Sequence, residues 1–141
     1  MKTQHTLKLT SMLTLVLGMC FAGLTATAAD APEATQPERM AVLFYADWCG
    51  SCKALDPKVK EARAELKEDT KTLFVTFDLT DAASKAQSAM LAEALGLGSI
   101  YEAHAKKTGF MLVLDAKDKS VVQKLTKTDD VATIRTQLAG G

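Results

Sequence analysis

The chain has 141 residues, 17 basic and 17 acidic side chains and no net charge, with 48% hydrophobic residues. That balance excludes the basic surface a nucleic-acid partner would need, and it leaves no strongly acidic tail. Residues 1–29 have the layout of a secretory signal peptide. Lys2 and Lys8 precede a mostly apolar run from Met12 to Leu24, and Ala26-Thr27-Ala28 offers small residues for cleavage after Ala28 or Ala29. The apolar run is short of the about 20 residues a membrane span requires, so export to the periplasm is expected. The alternative is a membrane-anchored form, held by this segment or by an acylated Cys20. It is disfavoured because Met19, before that cysteine, is not a small residue.

From Asp30 onward 112 residues remain, enough for one domain with its own core, and 15 basic residues face 17 acidic ones for a net charge of −2. Residues 30–39 carry two prolines, three acids in the stretch to Glu38 and no large apolar side chain before Met40. They read as a disordered leader to a domain spanning residues 40–141.

The domain opens with Ala41-Val42-Leu43-Phe44-Tyr45, a near-continuous apolar run of the kind a strand buried on both faces requires. It leads into Cys49-Gly50-Ser51-Cys52 at the start of a helix over about residues 50–68, whose Cys52, Leu55, Val59, Ala62 and Leu66 share one side. Pro57 lies inside this helix, removes one ladder bond and is expected to kink it. A helix N-terminus presents unpaired N–H groups and roughly half a positive charge. A thiolate placed there is stabilised over its thiol, and the thiolate is the form that attacks disulfides. Cys49, nearer solvent, is the expected nucleophile, and Cys52, one turn further in, the resolving thiol. After the leader no other cysteine remains, and so short a loop gains little stability from closure, so the pair serves redox chemistry or a metal.

In Thr72 to Thr80, Leu73, Val75, Phe77 and Leu79 share one face while Thr72, Thr76 and Asp78 share the other, as in an edge strand. A second helix is expected over residues 82–95. Ser99-x-x-Glu102 after Gly98 reads as a capping box opening a short helix over about residues 100–106. Phe110 to Leu114 is a second buried strand, residues 115–119 a turn and Ser120 to Leu125 the last strand. Thr128 is the expected cap of a final helix, with Asp129 and Asp130 in its first turn and Val131, Ile134 and Leu138 facing inward.

Trp48-Cys49-Gly50-Ser51-Cys52-Lys53, entered from a buried strand and followed about one helical turn later by Pro57, resembles the redox site of the thioredoxin superfamily. The likeness extends more loosely over residues 41–139. It implies an α/β thioredoxin-like fold in its minimal form, β-α-β-α-β-β-α, with a four-stranded mixed sheet. The short helix before the third strand would be an insertion. Trp48 would wall one side of the site, and Gly50 and Ser51 would tune its potential. The family also places a buried acid six residues before the first cysteine, where this chain has Leu43, and often a lysine on the next strand, where it has Thr76. Where the family carries a cis-proline that docks the substrate chain and guards the thiols against metal, this chain reads Thr108-Gly109. Gly109 could alternatively end the short helix as a C-cap.

The resemblance implies a thiol–disulfide oxidoreductase, leaning reductant, that acts as a monomer on protein disulfides or dithiols. It needs no dissociable cofactor, and a membrane or periplasmic redox partner resets its cysteine pair. Two rival readings stand beside it: metal or metal-cluster binding through the pair, with His104 as a third ligand or base, and a binding module of the same fold with little redox activity. Lys53 and Asp47 are read as solvated charges beside the site.

Overall fold

The computed structural model describes residues 36–67 and 70–140. The signal peptide and most of the leader lie outside them. The elements run β1 (Arg39–Tyr45), α1 (Gly50–Ala64), β2 (Thr72–Asp78), α2 (Ala82–Ala94), α3 (Gly98–His104), β3 (Phe110–Asp115), β4 (Val121–Thr126) and α4 (Val131–Ala139). This is the minimal β-α-β-α-β-β-α core with one short added helix, and its four strands form a single sheet in the order β2-β1-β3-β4. β2 lies parallel to β1, whereas β3 runs antiparallel to β1 and β4 antiparallel to β3. The sheet is therefore mixed, with β2 at an edge.

The alternation of side chains along β1 builds two cores at once, since successive residues of a strand face opposite sides of its sheet. Ala41 and Leu43 meet Leu55 and Val59 of α1 and Ile134 and Leu138 of α4. Met40, Val42 and Phe44 meet Val75, Phe77, Phe110 and Leu112 beneath α2 and α3, with Leu97, Ile100 and Tyr101 closing that side. Because β1 is sandwiched, it needs the unbroken apolar run seen in its sequence. Its C-terminal end is held between two partners, with Phe44 in register with Phe77 and Phe110.

Several local expectations are corrected. α1 ends at Ala64 with Glu65 as its C-cap, short of the expected end near residue 68. α3 starts at Gly98 without a side-chain cap. Ser99 and Glu102 do not form a capping box, because the helix is entered from Leu97, which is fully buried and whose N–H donates to Ala92 O at 2.7 Å. α3 also stops at His104, with Ala105 as C-cap, so Gly109 is not the residue that ends it. α4 is capped by Asp130, not by Thr128: Asp130 Oδ1 accepts from Thr133 N at 2.7 Å. Asp129 is held back at the end of β4, where its Oδ2 accepts from Thr126 N at 2.6 Å, and Thr128 Oγ1 pairs with Thr126 Oγ1 at 2.8 Å. β1 begins at Arg39, because Glu38 N and Arg39 N both donate to Lys71 O and tie the entry of the strand to β2.

Candidate active site

The site lies where β1 ends and α1 begins. Cys49 is the N-cap of α1, in extended conformation (φ −85°, ψ 110°), and its Sγ accepts from Cys52 N at 3.2 Å. A capping side chain satisfies one of the N–H groups a helix leaves unpaired. Here sulfur takes the place oxygen usually holds. Cys49 is 8% exposed and Cys52 is fully buried, and both are free thiols. Cys52 Sγ lies 3.8 Å from Phe44 O, directed at the same carbonyl that accepts from Gly109 N at 2.9 Å.

These surroundings separate the two thiols. Burial pushes the Cys49 thiol up, but hydrogen bonds from the Cys52 and Thr108 side chains and from the Cys52 and Ser51 N–H groups outweigh it, so its pKa falls below the ordinary thiol value. Burial pushes Cys52 up as well, and its hydrogen bond to Cys49 and the charge there add to the rise, against weaker help from Ala46 N–H and the Thr108 hydroxyl. One cysteine is thus poised as thiolate and the other held as thiol. Neither depends on a buried acid: Leu43 is packed with Leu55, Val59 and Met111 in the core under α1. Donors to sulfur come instead from the backbone and from Thr108.

Gly109 closes the site from the opposite side. Its φ is +85°, and a Cβ there would stand 2.6 Å from Ser51 Cβ and 3.3 Å from Cys49 Sγ. Only glycine fits both the left-handed backbone and the contact. Gly50 differs, since a Cβ there would meet nothing within 4 Å. Trp48 is 63% exposed at the mouth of the site, anchored by Nε1 donating to Thr80 O at 3.1 Å. Thr80 also accepts from Asp47 N through Oγ1 and is itself fixed by Asp78 Oδ1, which takes its N–H at 2.9 Å. Thr80 and the Phe44 carbonyl are parts of the site that nothing in the local sequence marks.

The structure thus brings together Cys49, Cys52, Ser51, Thr108 and Gly109, with Trp48 beside them, and leaves Lys53 and Pro57 exposed on α1. His104 is engaged elsewhere. Its ring lies edge-on to Phe44 and Phe110, 5.7 Å from each, and burial together with Lys124 and Lys107 lowers its pKa, which keeps it neutral at pH 7. Among the described residues no three His, Cys, Asp or Glu side chains are grouped to hold a metal.

Thr108→Val tests the electrostatics directly. The alkylation rate of Cys49 follows its thiolate fraction, which rises with pH through the folded pKa. The wild-type profile is expected to have its midpoint below the ordinary thiol value. The variant, which has lost a donor to the thiolate, is expected to titrate higher and react several-fold more slowly at pH 7. An unchanged profile would remove Thr108 from the site.

A strand-to-helix dithiol at the end of a β2-β1-β3-β4 mixed sheet defines a class of redox fold. The family model described as Thioredoxin matches residues 26–93. That match takes in β1, α1, β2 and the Cys49–Cys52 pair, just under half of the chain, and supports the resemblance to the thioredoxin superfamily. The chain is 41% identical over 66 residues to protein disulfide-isomerase of Gallus gallus, covering 45% of this chain and 13% of that protein. It is 46% identical over 37 residues to protein disulfide-isomerase A3 of the same species, covering 26% of this chain and 7% of that one. The chain therefore spans only a small part of the length of these two relatives. Among solved structures, a single-residue mutant of thioredoxin from Halobacterium salinarum NRC-1 aligns over 74% of both chains at 22% identity, with a TM-score of 0.43.

Proposed function

We propose that the chain is a thiol–disulfide oxidoreductase acting on protein disulfides through Cys49 and Cys52. The observation that carries this reading is the N-cap thiol of Cys49, held toward the thiolate by the Cys52 N–H and Thr108 and set beside a protonated Cys52. The Cys49 thiolate attacks one sulfur of a substrate disulfide. That S–S bond breaks, one substrate thiolate leaves, and a mixed disulfide forms on Cys49. Cys49 then carries no charge and no longer draws the Cys52 proton, so two of the influences that hold Cys52 up are gone. Cys52 loses its proton, attacks Cys49 Sγ and releases the second substrate thiolate. The substrate gains two electrons and two protons, and the pair becomes a disulfide.

The compartment proposed is the periplasm, entered through residues 1–29 and reached by the chain as a monomer. A membrane or periplasmic redox partner would return electrons to the pair. The lean is toward a reductant, supported by Ser51 between the cysteines, which supplies at most one hydrogen bond where a basic residue would favour the dithiol more strongly. Two measurements test the proposal: reduction of insulin disulfides by the full chain, and the equilibrium potential of the pair. A potential near about −270 mV supports a reductant, whereas one near about −120 mV would make the chain an oxidant. No insulin reduction and no exchange with glutathione would overturn the redox reading itself.

A further inference from the structure

The added helix α3 has a role that the minimal fold does not require. Between α3 and α2 runs a groove of about 330 Å³, lined by Trp48, Leu79, Lys85, Tyr101, Lys106 and Thr108. Its construction is specific. Tyr101 Oη donates to Lys85 O at 2.8 Å and ties α3 to α2, and the Tyr101 ring stands edge-on against Phe77 at 5.2 Å. Leu79, 1% exposed, lies at its base, and the anchored Trp48 stands at its side. Thr108 lies in its lining, and the next residue, Gly109, packs against Ser51 and Cys49. The groove is therefore continuous with the place where a mixed disulfide would form.

Its charge is one-sided. Two lysines and no carboxylate line it. Both lysines are exposed, and among the described residues neither forms an ion pair, the three pairs being Lys60–Asp56, Lys71–Glu38 and Arg135–Glu65. Two acids at the junction of β2 and α2 are turned to local backbone. Asp78 Oδ1 holds Thr80 N, and Asp81 Oδ1 caps α2 through Ser84 N at 2.8 Å, while lying close enough to Lys85 to feel its charge.

We infer that this groove docks the segment flanking the substrate's reactive disulfide, and that the segment it fits is an acidic peptide with an apolar residue to set against Trp48 and Leu79. The inference rests on the redox reading and names its substrate class. Lys85 and Lys106 act on encounter and orientation of the peptide, while the sulfur chemistry rests on the Cys52 N–H held at Cys49 Sγ.

The test uses the full chain in its reduced form and three matched peptides. Each carries one cysteine as a mixed disulfide with a chromogenic thiol, flanked by glutamates, serines or lysines. The acidic peptide is expected to react about fivefold faster than the basic one at low ionic strength, with the gap closing as salt is added. A Lys85→Glu, Lys106→Glu double variant is expected to reverse that order while reducing uncharged hydroxyethyl disulfide at the wild-type rate. Equal peptide rates in both proteins, with hydroxyethyl disulfide still reduced, would overturn the docking inference and leave the redox reading standing. No reaction with hydroxyethyl disulfide in the wild type would overturn both.

Discussion

Cys49→Ser is expected to abolish disulfide exchange, lowering the rate by on the order of 10³-fold or more, because a hydroxyl at this position offers no comparable nucleophile. Cys52→Ser is expected to do something different. Its first step, attack by Cys49, survives, but the mixed disulfide has no neighbouring thiol to resolve it and accumulates. Mass spectrometry of the two variants after incubation with a disulfide-bonded substrate protein separates the roles, showing a covalent adduct on Cys52→Ser and none on Cys49→Ser. Adducts on Cys49→Ser, and none on Cys52→Ser, would mean the assignments are reversed. The depth difference argues against that, since Cys49 is 8% exposed and Cys52 is completely covered.

The second large effect is expected at Gly109. Gly109→Ala imposes a left-handed conformation on a residue with a Cβ, which costs about 1–2 kcal/mol. It also sets that Cβ 2.6 Å from Ser51 Cβ, a contact that must be relieved by moving backbone. Overpacking of this kind costs roughly 1–3 kcal/mol. The sum, about 2–5 kcal/mol, is a large share of the roughly 5–15 kcal/mol that holds a typical domain folded. Urea unfolding of the reduced protein is expected to show a midpoint shifted down accordingly. Adding Ser51→Gly should recover the steric part and leave the backbone part. Gly109→Pro is expected to be no remedy, although the family pattern that the sequence resembles has proline here. Proline fixes φ near −65° and has no N–H to donate to Phe44 O, where Gly109 now donates at 2.9 Å. A wild-type midpoint for Gly109→Ala would contradict the placement of this backbone against the cysteines.

Much of this architecture is legible in the chain because it depends on short-range periodicity. The apolar run of β1, the alternation of β2 and the cysteine spacing at the start of α1 each specify their element within a few residues. What stayed illegible depends on register between distant segments. Thr128, Asp129 and Asp130 are three adjacent candidates for one cap, and the choice is made by Thr126 at the end of β4, whose N–H takes Asp129 and leaves the helix to Asp130. Thr80 holds Trp48 across 32 positions of sequence, and no local pattern announces it. Leu43 and Gly109 stand out as departures from the family in the sequence. Their consequences emerge only once Thr108 is brought beside the sulfurs by the pairing of β1 with β3. His104 was misleading for the opposite reason. A lone histidine near a dithiol invites a chemical role, but this one completes an aromatic cluster on the other side of the sheet from α1.

The shared carbonyl of Phe44 carries one more consequence. It is a buried acceptor approached by two donors, the Gly109 N–H and the Cys52 S–H. When Cys52 enters a disulfide, its hydrogen leaves, and in most buried settings the loss of a donor strands the acceptor at a cost of about 1–3 kcal/mol. Here the amide remains. The strand end therefore keeps its partner in both states of the dithiol, and the pair can pass between them without the sheet having to choose.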